Sequence, residues 1–278
     1  MKALATLKAL ATLKALATLK ALATLKALAT LIPNYSLIYI RRIIYINNFE
    51  LKDFAGRLIY CPFIMFAILL IFNCYKYRDK ALQQKTSWLP KIPTNIVYFH
   101  VLGDPNLETD YQFLPNENIL LVKVEDDYNS LPKKVIRAFL AVLKTYDFKY
   151  IFKTDDDQQV TNIKFFETIM SLLDKKWHDP QARLHYGGHI VDVKQTYQSQ
   201  YYRIHEELPR DLLVKATKYC SGRFYFLSKD AVTFLVEEKR LEVESEYLED
   251  YAIGYHLPDS YKPNMLPLDT NKYLVDFV

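Results

Sequence analysis

Three adjacent carboxylates, Asp155, Asp156 and Asp157, follow closely on the apolar residues Tyr150, Ile151 and Phe152. The order is that of an acidic cluster at the carboxyl end of a buried strand. Like charges packed so tightly repel one another unless a cation stands among them. Ligands of open α/β sheets sit beyond the carboxyl ends of the strands, and carboxylate oxygens suit hard divalent ions. The chemistry indicated is a metal holding a phosphorylated substrate, although three aspartates in isolation are more often a solvated acidic turn. A second acidic pair, Glu249 and Asp250, lies in a stretch that also carries Glu242, Glu244 and Glu246. It offers a proton acceptor from a remote segment, or simply a solvated helix face. Lys134 is a cation that could meet a phosphate or lie on a helix surface, and His256 could complete a metal shell or be structural. Cys220 has no partner thiol or activating motif beside it, so core packing is its expected role.

The elements that must position these residues follow from pattern. Asn95 to Leu102 is a strand candidate rich in β-branched and aromatic residues, stopped by Gly103-Asp104-Pro105. Asn118 to Val124 is a second apolar run. Leu131 to Tyr146 places apolar residues at helical spacing. The strand that ends in the aspartates comes next, and then a helix from Ile163 to Lys175. Strands at Leu184 to Val191 and Tyr219 to Ser228 precede a helix from Lys229 to Arg240. This alternation predicts an α/β layer fold with mostly parallel strands over residues 94–278.

The first part of the chain has a different texture. Five copies of Lys-Ala-Leu-Ala-Thr-Leu run from Lys2 to Leu31; their six-residue period winds leucines around a helix instead of forming one stripe. A low-complexity extension without a catalytic part is expected there, followed by an N-terminal segment at 32–57. Leu58 to Tyr75 carries no charge and predicts a single-pass membrane anchor at the short end of a bilayer span. Basic residues on both sides leave its orientation open, and residues 76–93 form a short stem. A net charge of +4 makes no case for nucleic acid.

Several blocks of the globular part, in order, resemble the β-1,3-galactosyltransferase family, which includes β-1,3-N-acetylglucosaminyltransferases and is related to fringe. They are Gln84-Lys-Thr-Ser-Trp88, Phe99-His-Val-Leu-Gly103, Asp126-Asp-Tyr-Asn-Ser-Leu-Pro-Lys-Lys134, Lys153-Thr-Asp-Asp-Asp157, Tyr219-Cys-Ser-Gly222 with Leu227-Ser-Lys-Asp230, and Leu248-Glu-Asp250 with Gly254. The resemblance implies a GT-A fold, a Rossmann-like mixed sheet flanked by helices. It further implies inverting transfer of galactose or N-acetylglucosamine from a UDP-sugar to a glycan hydroxyl in β-1,3 linkage. Mn2+ is the expected cofactor, with Asp157 as direct ligand and Asp156 and Asp155 contacting metal, its waters or the ribose. Asp250 matches the family's base, with Glu249 as second candidate. A Golgi membrane protein with a lumenal C-terminal domain is implied as well. Trp88, Tyr201 and Tyr202 would stack on sugar faces or fill the core. Arg223 stands where the family usually has Gly, Gln158-Gln159 where it has apolar residues, and Tyr251 where it has Val. Two other classes compete: a catalytically silent relative with a carbohydrate-binding or structural role, and a metal-dependent phosphatase or nucleotidyltransferase using the same aspartates.

Overall fold

The computed structural model describes residues 65–277; the repeat at 2–31, the segment at 32–57 and the start of the expected membrane span lie outside them. The described part of that span requires a correction. Met65–Phe72 is a β-strand, β1, buried along its whole length. It pairs in parallel with β2 (Ile96–Gly103) on one side and β5 (Phe148–Asp155) on the other. Ile68, Leu70 and Phe72 enter the core on one face of the sheet, and Ala67, Leu69 and Ile71 the core on the other. A strand covered on both faces has no polar side, so its sequence is an unbroken apolar run like that of a short membrane span. Among the described residues no helix is long and apolar enough to cross a membrane. The expected stem is also part of the fold: it carries α1 (Arg78–Ser87) and a turn that buries Trp88 and Leu89.

The remaining elements comprise those expected between Asn118 and Arg240, which fall close to their places, and several short ones that no pattern had marked. They include the hairpin β3 (Tyr111–Leu114) and β4 (Ile119–Val122), then α2 (Leu131–Thr145), the short β6 (Gln158–Val160) and α3 (Lys164–Trp177). Next come β7 (Tyr186–Val193), the short pair β8 (Tyr197–Gln198) and β9 (Leu213–Val214), and β10 (Thr217–Ser228). α4 (Lys229–Glu238), α5 (Arg240–Glu244), α6 (Glu249–His256), β11 (Leu266–Pro267) and β12 (Leu274–Asp276) follow. The main sheet has eight strands in the order β11-β7-β10-β5-β1-β2-β4-β3. Its centre is parallel, whereas β10 runs antiparallel to both β5 and β7.

Helix positions follow from their apolar faces. α2 turns Val135, Ala138, Phe139 and Val142 to one side of the sheet, where they meet Ala231, Val232 and Leu235 of α4. Phe165, Phe166, Ile169 and Leu173 of α3 cover the opposite side. Pro132 sits in the first turn of α2, where a missing N–H removes no helical bond. The Ser228 hydroxyl caps α4 by accepting from the Ala231 N–H at 3.2 Å. Because β1, β2, β4 and β5 are parallel, Asn73, Gly103 and the acidic turn after Asp155 all emerge at one edge of the sheet.

If β1 is the central strand, Leu69→Ala costs about 2–5 kcal/mol of unfolding free energy, and a chain begun at Lys76 fails to fold cooperatively. Denaturant unfolding followed by circular dichroism checks both. A soluble, cooperatively folding chain from Lys76 would contradict the strand assignment and favour an anchor.

Candidate active site

Asp126 ties the edge together. Its carboxylate accepts from the backbone N–H of Tyr75 at 2.7 Å and of Gly103 at 2.8 Å, and from Lys134 Nζ at 2.6 Å. Lys134 also donates to the Asn73 carbonyl at 3.1 Å. Its side chain is 3% exposed, so the ammonium expected to meet a phosphate is instead taken up inside the protein. A Cβ on Gly103 would lie 2.8 Å from the Val124 carbonyl oxygen, which explains the glycine at this strand end.

The acidic turn is gripped from beneath by α1 and its following turn. Gln84 Nε2 donates to the carbonyls of Asp155 (3.2 Å) and Gln158 (3.0 Å), and Trp88 Nε1 donates to the Gln158 carbonyl at 3.1 Å. His100 Nε2 donates to Gln84 Oε1 at 2.9 Å; burial lowers the His100 pKa to about 3, so the ring is neutral. Trp88 is therefore a core residue, stacked on Phe166. Its expected alternative, a sugar platform, is not what it does here.

The two acidic segments meet at Lys153. Its ammonium is buried and lies 2.6 Å from Asp155 Oδ1, 3.0 Å from Glu249 Oε2 and 2.8 Å from the Gly222 carbonyl. Glu249 Oε1 accepts from the Tyr225 hydroxyl, so both oxygens of that carboxylate are engaged. Asp250 is oriented differently: Oδ2 accepts from the Gly222 N–H at 3.0 Å and Oδ1 from the Tyr251 N–H at 2.8 Å. A Cβ on Gly222 would stand 3.2 Å from Lys153 Nζ, 3.5 Å from Asp155 Oδ2 and 3.7 Å from Asp250 Cβ, which brings the strand end and α6 to one spot. The register of β10 against β7 shifts between Cys220 and Tyr225, and this irregularity aims Gly222 at the cluster, a common use of a bulge beside a site.

Burial raises the carboxyls of Glu249 and Asp250, against the pull of Lys153. Burial pushes Asp155 up to about 6 despite Lys153, and Asp156 up to about 6 despite Lys80, whose Nζ is 3.6 Å away. Burial would lower Lys153, but Asp155 and Glu249 outweigh it and the ammonium is retained. Tyr128 stacks on His205 with ring centroids 3.8 Å apart, and its hydroxyl is raised by burial and by Asp250. Tyr201 is exposed and is raised by burial and then by Asp250, so it too stands on the Asp250 side. Tyr202 packs against the small cluster around Leu208 and Tyr251. Cys220 is fully buried, and burial raises its thiol.

The three aspartates diverge instead of forming one cage. Asp155 turns to Lys153, Asp156 to Lys80, and Asp157 Oδ1 accepts from Gln158 Nε2 at 2.6 Å. Among the described residues no three His, Cys, Asp or Glu side chains are grouped to hold a metal. His256 instead bonds Glu246 at 3.1 Å and lines a surface depression with Thr217, Lys239 and Lys262. The described residues thus offer no complete metal shell, but the turn fits an ion shared with a diphosphate, which needs only one or two protein carboxylates. In the same turn Gln158 Oε1 is buried without a hydrogen-bond partner.

Pattern reasoning overlooked Lys153, Gly222 and Tyr225 as site residues. Lys153 was legible as a charge inside an apolar strand two residues ahead of the aspartates. Gly222 stood in a motif block with no role attached, and nothing local marked Tyr225; both act through β10, where Tyr225 lies opposite Lys153 and Gly222 falls in the adjoining register shift.

The sequence profile of the galactosyltransferase family matches residues 81–261, which include the acidic turn, the β10 irregularity and α6. No curated protein matches the chain. The family match bears out the resemblance drawn from the motif blocks.

Replacing Lys153 by Met leaves Asp155 and Glu249 without their counter-charge and costs about 3–5 kcal/mol in denaturant unfolding; a loss below about 1 kcal/mol would contradict the charged cluster. For Asp156, a folded pKa of about 6 against 3.8 means that the folded state holds the proton more tightly. The stability it contributes is present below the unfolded value and is lost as pH rises through the folded one. In chelator, Asp156→Asn should therefore gain on the wild type from about pH 4 to pH 6, by on the order of 2 kcal/mol. Parallel stability profiles would count against it.

Proposed function

We propose that this chain, which belongs to the galactosyltransferase family, is an inverting, Mn2+-dependent hexosyltransferase. In this reading it moves galactose or N-acetylglucosamine from a UDP-sugar to a glycan hydroxyl in β-1,3 linkage. The observation that carries the reading is the convergence of Asp155 and Asp250 on Gly222 within the matched residues. A strand-end carboxylate turn suits the donor diphosphate, and a carboxylate from a separate helix suits the acceptor.

Asp250 is the base. Its carboxylate takes the proton of the acceptor hydroxyl while that oxygen attacks the anomeric carbon. The bond from that carbon to the diphosphate breaks on the opposite face, and UDP leaves with the bonding pair. Glu249 has both oxygens engaged by Lys153 and Tyr225; its part is to hold α6 in place. Asp157 would hold the Mn2+ ion, with Asp156 next to it. When bound, that ion supplies positive charge against the leaving diphosphate. The tyrosines on the Asp250 side, Tyr128 and Tyr201, belong with the acceptor. A Golgi membrane address is proposed from the family alone, and its signal then lies outside Met65–Phe72.

EDTA should abolish UDP release from a UDP-sugar and acceptor, and Mn2+ should restore it; full activity in chelator would sink the metal reading. Asp250→Asn should lower kcat by roughly 10²–10⁴-fold with UDP and Mn2+ affinity little changed, the pattern of an interaction made in the transition state. If Glu249→Gln stays folded and is inactive while Asp250→Asn turns over normally, the base is Glu249.

A further inference from the structure

Two of the departures from the family pattern, Gln158 and Arg223, meet in space at a strand beyond the matched residues. β12 pairs antiparallel with β6, with Asp276 opposite Gln158, and the Phe277 N–H donates to the Asp157 carbonyl at 2.8 Å. Arg223, on β10, donates to the Leu274 carbonyl at 2.8 Å and pairs with Asp276 at 3.0 Å. Gln158 Nε2 donates to Asp157 Oδ1 at 2.6 Å and to Asp276 Oδ1 at 2.8 Å. We infer that Asp276 is a positioning residue for the donor site: held by Arg223, it orients the Gln158 amide that in turn holds the Asp157 carboxylate.

The orientation of that amide depends on its nitrogen. Gln158 is 3% exposed, and its Oε1 is buried with no hydrogen-bond partner. Turning the amide over would set this oxygen against two carboxylate oxygens, so the two carboxylates alone select the observed orientation. Without Asp276, one contact remains, and Asp157 and Gln158 can swing together. Arg223 keeps Asp276 from drifting, because its guanidinium grips both the side chain and the Leu274 carbonyl of the same strand. The strand does not depend on this polar chain for its own position: Leu274 is fully buried in the apolar core beside α3, and Tyr273 stacks on Phe165. Asp276 itself is largely exposed, with 62% of its side chain accessible. Its replacement therefore tests orientation with little effect on folding.

This inference rests on the reading of Asp157 as the residue that faces the ion and the diphosphate. Mn2+ binding to the full chain, measured by the electron paramagnetic resonance of free Mn2+ in the presence of UDP, reports on it without turnover. Asp276→Ala and Arg223→Met should each weaken Mn2+ binding about 10–100-fold, as loss of an outer partner of a ligand does. Asp276→Asn, which keeps an oxygen facing the Gln158 amide, should recover part of the loss. Acceptor KM and the thermal midpoint should stay near the wild-type values. Wild-type Mn2+ affinity in both Asp276→Ala and Arg223→Met, with Asp157→Ala unable to bind, would overturn this inference and leave the proposed function standing. If the wild type itself binds no Mn2+ with UDP, the metal reading and this inference fall together.

Discussion

Lys153 carries an ammonium with 1% of its side chain exposed, within 3.0 Å of carboxylates on two different elements. Taking such a charge out of water costs several kcal/mol, and the cost is recovered only if partners are fixed at short range. Three segments must therefore be held together: the end of β5, the irregular part of β10 that supplies the Gly222 carbonyl, and the first turn of α6. The same constraint sorts the two acidic neighbours. Glu249 is drawn inward to the ammonium and the Tyr225 hydroxyl, whereas Asp250 accepts, among the described residues, from backbone N–H groups, which suits it to the proposed role of base.

Around this centre the anionic groups outnumber their nearby cations. Among the described residues, Asp155 and Glu249 share Lys153, Asp156 has Lys80 at 3.6 Å, and Asp157 has an amide and no direct cation. Burial raises Asp155, Asp156, Glu249 and Asp250 alike, so added positive charge would relieve all four. This suits the proposed donor, which would arrive with a divalent ion, better than a ligand that brings only negative charge.

Much of this was legible in the sequence, and the failures have physical causes. The strand-then-aspartates pattern and the helical spacing at Leu131 to Tyr146 survived because local pattern and tertiary role agree there. The motif blocks also turned out to carry identifiable work: Gln84 and Trp88 hold the acidic turn, and Asp126 joins the segment after β1 to the end of β2 and to α2. The apolar run through Met65–Phe72 misled because burial on both faces of a central strand erases alternation. Lys134 misled because a phosphate contact or a helix surface was expected where an internal ion pair exists. The contacts of Arg223 and Gln158 with Asp276 were beyond reach, since they depend on a three-residue strand whose partners lie far back in the chain.

The central claim is that a single displacement occurs between a donor held at the acidic turn and an acceptor deprotonated by Asp250. The configuration of the product tests it most directly. With a UDP-α-hexose as donor and a glycan acceptor, proton NMR of the new linkage gives the anomeric configuration from its coupling constant. The account predicts a β-linked hexose, accompanied by one UDP for each bond formed. An α-linked product, or inorganic phosphate in place of UDP, would contradict it.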